Sequence, residues 1–133
     1  MRHVVGVLCF FNLCIGLTMG VPMGVGLLQG EPEAWDFLTD AGLAVILGGI
    51  GSLWGLRGKV SIGRRGAFAI VSFGWLTASL SGAVPFVLSG TLCPIDALFE
   101  VVSGFTTTGA SVFPQVEHLP KSILFWRYMV QWL

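Results

Sequence analysis

The residues of this chain best suited to chemistry are Phe105-Thr106-Thr107-Thr108-Gly109-Ala110-Ser111. The stretch holds no carboxylate, imidazole or thiol. What it offers is oxygen: three consecutive hydroxyls and, in an extended backbone, carbonyls that can point at one axis and replace the water shell of a cation. Gly109 permits dihedral angles that are costly for other residues and leaves room for an ion. Carboxylates are not required for this, which suits a weakly hydrated monovalent cation better than Ca²⁺ or Mg²⁺. The same residues also read as an ordinary outer loop, so their setting has to discriminate.

That setting is a short helix. Ser89-Gly90 marks a turn, and Cys93-Pro94-Ile95-Asp96 reads as a helix start, with proline at the first helical position and an acid in the first turn. Ala97 to Val102 continues it, and Ser103-Gly104 is expected to end it, glycine supplying a left-handed cap. A helix of about ten residues is roughly 15 Å long and reaches about half way through a bilayer. Three threonines and a glycine then resist a regular helix and are too polar to face lipid. Non-helical backbone at membrane depth is tolerated only when buried in protein or lining a watery cavity. The expectation is a re-entrant loop, with the negative end of the half-helix near the ion.

A second constellation follows. Leu119-Pro120 opens a further helix, read from Lys121 to Leu133, with Arg127 inside it. An arginine at membrane depth needs a partner. Glu100 is the acid expected at similar depth, and a Glu100–Arg127 pair would brace the half-helix; reaching water, or another segment, is the alternative for Arg127. Other groups carry little. Cys9, Cys14 and Cys93 form no CxxC or Cys/His cluster, so no metal site is expected. His118 beside Glu117, and Ser103 before Gly104, are the remaining catalytic candidates. No HExxH or serine-hydrolase pattern accompanies them, so the chain is not expected to be an enzyme.

The elements that position these groups are membrane helices. Of 133 residues 54% are hydrophobic and 11% charged, too few charges to cover a water-facing surface. Mean hydropathy is +0.84. Net charge is zero, which removes any electrostatic case for nucleic acid. Val4 to Leu28 carries no Asp, Glu, Lys or Arg and reads as a retained span, not a signal peptide, with Pro22 kinking its last turns. A second span runs from about Phe37 to Leu56, with Asp40 near one end and Gly42, Gly48, Gly49, Gly51 and Gly55 as helix-packing residues. A third runs from about Ala67 to Leu88, with Pro85 near its end. Arg57, Lys59, Arg64 and Arg65 crowd the linker before it. By the positive-inside rule that linker and the N-terminus are cytoplasmic, and the Glu31, Glu33 and Asp36 loop is outside.

From Asp96 to Ser111, and on through Leu119-Pro120, Ile123-Leu124-Phe125-Trp126-Arg127 and Gln131-Trp132, the sequence resembles the first pore unit of Trk-type potassium uptake proteins of the Trk/Ktr/HKT superfamily. The order of elements matches as well. The resemblance implies an all-α membrane protein: two N-terminal transmembrane helices, then one helix–re-entrant pore loop–helix unit whose last helix is truncated. Residues 1–66 would be the hairpin and basic cytoplasmic loop, and 67–133 the pore unit. It also implies potassium transport in a bacterial inner membrane. Thr106, Thr107, Thr108 and Gly109 would be the potassium filter, with K⁺ as cargo and no cofactor. A cytosolic nucleotide-binding regulatory subunit is the implied partner. Family members carry four such units around one pore. One unit cannot surround an ion, so the chain is read as part of a longer protein or as one copy in a homo-oligomer. A non-conducting membrane scaffold or assembly subunit is the other reading.

Overall fold

The computed structural model describes residues 2–57 and 63–133, so Lys59 of the basic linker lies outside the described residues. The described residues form helices joined by turns and loops: α1 (Arg2–Thr18), α2 (Gly20–Gln29), α3 (Ala34–Gly55), α4 (Arg64–Leu88), α5 (Pro94–Phe105) and α6 (Lys121–Val130). Three stretches, Arg2–Gln29, Ala34–Gly55 and Arg64–Leu88, are long and apolar enough to cross a membrane. Their outward side chains, Leu43, Leu47, Leu53 and Phe68 among them, are exposed, as a lipid-facing surface requires.

The first span is broken, and earlier than its sequence suggests. Pro22 has no N–H to donate to the Thr18 carbonyl, and its ring crowds that carbonyl. The helix therefore interrupts at Met19, a turn before the proline, instead of kinking in its last turns. The Thr18 hydroxyl donates to the Ile15 carbonyl at 2.7 Å, and Met19 itself is fully buried.

α1 and α3 lie close enough for backbone to meet backbone. A Cβ placed on Gly6 would stand 2.7 Å from the Gly55 carbonyl carbon, and one on Gly48 2.7 Å from the Cys9 carbonyl oxygen. The packing role expected of the α3 glycines thus holds at Gly48, Gly51 and Gly55. It does not hold at Gly42, which faces open space. The far end of the hairpin is tied by Arg2 Nη2 donating to the Arg57 carbonyl at 2.7 Å and by His3 Nδ1 2.9 Å from the Gly55 carbonyl.

Several helix limits differ from the sequence reading, and α3 already begins at Ala34. α4 begins at Arg64, so Arg64 and Arg65 occupy its exposed first turn, where long cationic side chains can reach water. α5 continues through Ser103 and Gly104 to Phe105. α6 stops at Val130, and residues 131–133 form a turn. The core gathers where α3 starts and α4 ends. Phe37, Phe86, Val101, Ile123 and Trp126 are buried there from four different helices. Trp126 meets Phe37 edge to face, with ring centroids 6.1 Å apart.

Candidate functional site

α5 has 12 residues, about 18 Å of helix, and its C-terminal end carries the threonine run. The termination is a Schellman motif. The Thr107 N–H donates to the Gly104 carbonyl at 2.8 Å and the Thr108 N–H to the Ser103 carbonyl at 3.0 Å. The left-handed residue in this motif is Thr107, at φ 55°. Glycine usually fills that place, and a β-branched residue there is strained. Gly104, expected as the cap, is helical instead. A Cβ at Gly104 would come 2.8 Å from Val130 Cγ1, so its small size serves the contact with α6.

The threonine run is therefore not extended from its first residue. Thr106 and Thr107 form the helix-ending turn, and the irregular backbone starts at Thr108. Gly109 follows at φ 74°, a conformation that its lack of a side chain allows. The Thr106 hydroxyl donates to the Val102 carbonyl at 2.8 Å and lies 2.9 Å from the Thr108 hydroxyl. Thr106 through Ser111 are all exposed.

The loop is held from behind by Glu100, whose side chain is almost completely buried. The Ser111 hydroxyl contacts both of its oxygens at 3.0 Å, and the Val112 N–H donates to Oε2 at 3.0 Å. Arg127 Nε donates to Oε1 at 2.5 Å. One carboxylate thus joins α5, the loop after the threonines and α6. A second strut is the Ser103 hydroxyl, which donates to the Ala110 carbonyl at 2.6 Å. Glu100 is thus occupied within the protein, while the Thr106 and Ala110 carbonyls accept from the Thr107 and Ser103 hydroxyls.

α6 is placed by long-range bonds at two points. Trp126 Nε1 donates to the Gly82 carbonyl of α4 at 2.9 Å. At the other end, Glu31 caps α6: Oε1 accepts the Lys121 N–H at 2.7 Å, while Oε2 accepts the Ser122 N–H at 2.9 Å and the Ser122 hydroxyl at 2.7 Å. Burial pushes the Glu31 carboxyl up, but these bonds and the Lys121 charge outweigh it and hold the group below its ordinary value of 4.5. No local signal reveals this cap, because donor and acceptor are 91 positions apart.

Asp40 was also missed as a buried group. It lies inside the bundle, 6% exposed, with Oδ2 unpartnered. Glu117 and His118 are exposed on the loop before α6. All three cysteines are free, and the described residues contain no cluster of three or more His, Cys, Asp or Glu that could hold a metal ion.

Comparison with known proteins places this geometry in context. The family TrkH, described as cation transport protein, matches residues 38–133. The chain is 33% identical over its whole length to the Trk system potassium uptake protein TrkH of Halomonas elongata, covering 28% of that protein. It is 35% identical to the Escherichia coli K12 protein of the same name, over 86% of this chain and 24% of the relative. The crystal structure of the potassium transporter TrkH from Vibrio parahaemolyticus superposes with a TM-score of 0.90 at 30% identity, covering 98% of this chain and 28% of that one. The chain thus spans about a quarter of the length of these relatives.

Proposed function

This chain belongs to the TrkH family of cation transport proteins, and on that premise we propose that it carries the first pore unit of a potassium uptake pathway. Residues 1–66 supply the membrane hairpin and cytoplasmic linker, and residues 67–133 the pore unit. Thr106, Thr107, Thr108 and Gly109 line one side of the selectivity filter. Three further units, from a longer chain or from other copies, complete the ring around the ion. The protein resides in a bacterial inner membrane with its N-terminus in the cytoplasm, and a cytosolic nucleotide-binding subunit regulates it.

The observation that carries this reading is the exposed Thr106–Ser111 loop, fixed at the end of a half-length helix by the buried Glu100. Such a loop can take K⁺ from water at little reorganisation cost, because its backbone is tethered at Ala110, Ser111 and Val112. The partial negative charge at the α5 C-terminus favours a cation there. Glu100 does not contact the ion in this scheme. Its charge is balanced by Arg127, so it positions the loop without trapping the cargo.

The test is growth of cells lacking their own potassium uptake systems on limiting K⁺. The chain in its full reading frame should rescue growth, and Gly109→Ser should weaken K⁺ over Na⁺ preference. Rescue with selectivity unchanged in Gly109→Ser would remove the filter assignment. Failure to rescue despite confirmed membrane insertion would favour a non-conducting scaffold.

A further inference from the structure

Asp40 is the unexplained polar group of the hairpin. It stands six residues into α3, about 9 Å from the start of that helix. It is 6% exposed, and its Oδ2 has no hydrogen-bond partner. The described residues contain one ion pair, and Asp40 is not in it. A bare carboxylate at membrane depth is costly and calls for a counter-charge.

The carboxylate borders a cavity of about 240 Å³ that is also lined by Asn12 and Cys9 of α1 and Ser81 of α4. The polar groups on these walls are already oriented. Asn12 Nδ2 donates to the Leu8 carbonyl at 3.1 Å, and the Ser81 hydroxyl donates to Asn12 Oδ1. The Ser81 proton is therefore committed to Asn12, and its oxygen lone pairs, those left on Asn12 Oδ1 and both Asp40 oxygens remain to accept. Leu43, Ala44, Leu47 and Gly48 make the rest of the wall apolar, so its polar part is a patch of acceptors with one formal negative charge and no cationic side chain, which matches a cation.

We propose that Asp40, Asn12 and Ser81 form a second intramembrane cation site, separate from the threonine loop, that takes Na⁺ with part of its water shell. One carboxylate balances one positive charge, whereas a divalent ion would leave a net charge in a low-dielectric setting. Liquid water occupies about 30 Å³ per molecule, so the cavity holds an ion together with several waters. A small, strongly hydrated ion fits this better than one that must be stripped bare. Cation occupancy here would tie α1, α3 and α4 together at one level.

The experiment is equilibrium binding of radiolabelled Na⁺ to the protein reconstituted in lipid nanodiscs. Wild type should bind saturably. Asp40→Asn, nearly isosteric and uncharged, should weaken binding by more than about tenfold, and Ser81→Ala should weaken it several-fold with the carboxylate intact. Infrared spectra decide the state of the acid: any protonated-carboxyl band that Asp40→Asn abolishes should disappear when Na⁺ saturates. Equal binding by wild type and Asp40→Asn would overturn the proposal. So would a protonated Asp40 band that persists at saturating Na⁺, since the site would then hold a neutral acid. Should Asp40→Asn fail to fold, unchanged affinity in Ser81→Ala would count against the site just as directly.

Discussion

Glu100 and Ser111 face each other across the turn that ends α5, the serine hydroxyl 3.0 Å from each carboxylate oxygen. The helix thereby grips the loop that leaves it. Because Arg127 approaches the same carboxylate, the grip extends to α6.

Removing one member of this arrangement strands the others. Arg127→Met should destabilise the protein by about 3–5 kcal/mol, the usual cost of leaving a buried charge without its partner. Glu100→Ala should cost more, because the Ser111 and Val112 donors also lose their acceptor. Glu100→Gln, which keeps an acceptor oxygen, should fall between wild type and Glu100→Ala. Thermal melts of the purified protein in detergent give the ranking. Additive effects in the Glu100→Gln, Arg127→Met double variant would show that the two side chains are not coupled.

Thr107 carries backbone strain at φ 55°. Thr107→Gly should relieve about 1–2 kcal/mol of it and raise the melting temperature. The same change deletes the hydroxyl that donates to the Thr106 carbonyl at 2.7 Å and loosens the loop. Greater stability with weaker K⁺ over Na⁺ discrimination is the expected combination, read from melts and from competition in uptake assays. A loss of stability would mean that the loop does not hold this dihedral.

The glycines should divide sharply. Gly104→Ala should cost about 1–3 kcal/mol by overpacking against Val130, and Val130→Ala should recover part of the loss. Gly42→Ala meets open space and should be neutral, or stabilising by up to about 1 kcal/mol, because alanine favours the helix. Similar effects at the two positions would contradict the packing described here.

Glu31 gives the protein an acid-sensitive contact. Its folded carboxyl lies below the ordinary 4.5, so its contribution is fully present above that value and is lost as pH falls through the lower folded one. Melting temperature should therefore decline on acidification more steeply in wild type than in Glu31→Gln. The group is half-buried and still reached by solvent, so the difference should be modest and should shrink in high salt. Parallel curves for the two proteins would dismiss the linkage.

Local signals made much of this molecule legible. Long uncharged runs mark the three spans, and Pro94 with Asp96 marks the start of α5, because hydropathy and first-turn chemistry act within a few residues. The irregular backbone after α5 could be read from its threonines and glycine, which resist a regular helix. The cap was misread for a physical reason. Gly104 was the obvious left-handed residue, but α6 needs its lack of a side chain, so the turn moved on to Thr107. Asp40 and Glu31 were opaque because burial beside Ser81 and capping of α6 depend on partners far along the chain. Arg127 was partly readable, since a membrane arginine demands an acid and few acids were available.

The Glu31–Ser122 contact has a consequence for biosynthesis. The carboxylate that closes the start of α6 emerges from the ribosome 91 residues before its acceptor site exists. At synthesis rates of about 5–20 residues per second, it waits on the order of 5–20 s, with three helices, α3 to α5, still to be made between the two. A chain with its first spans already inserted therefore stays unlatched over that interval, and this contact can form only once α6 has arrived.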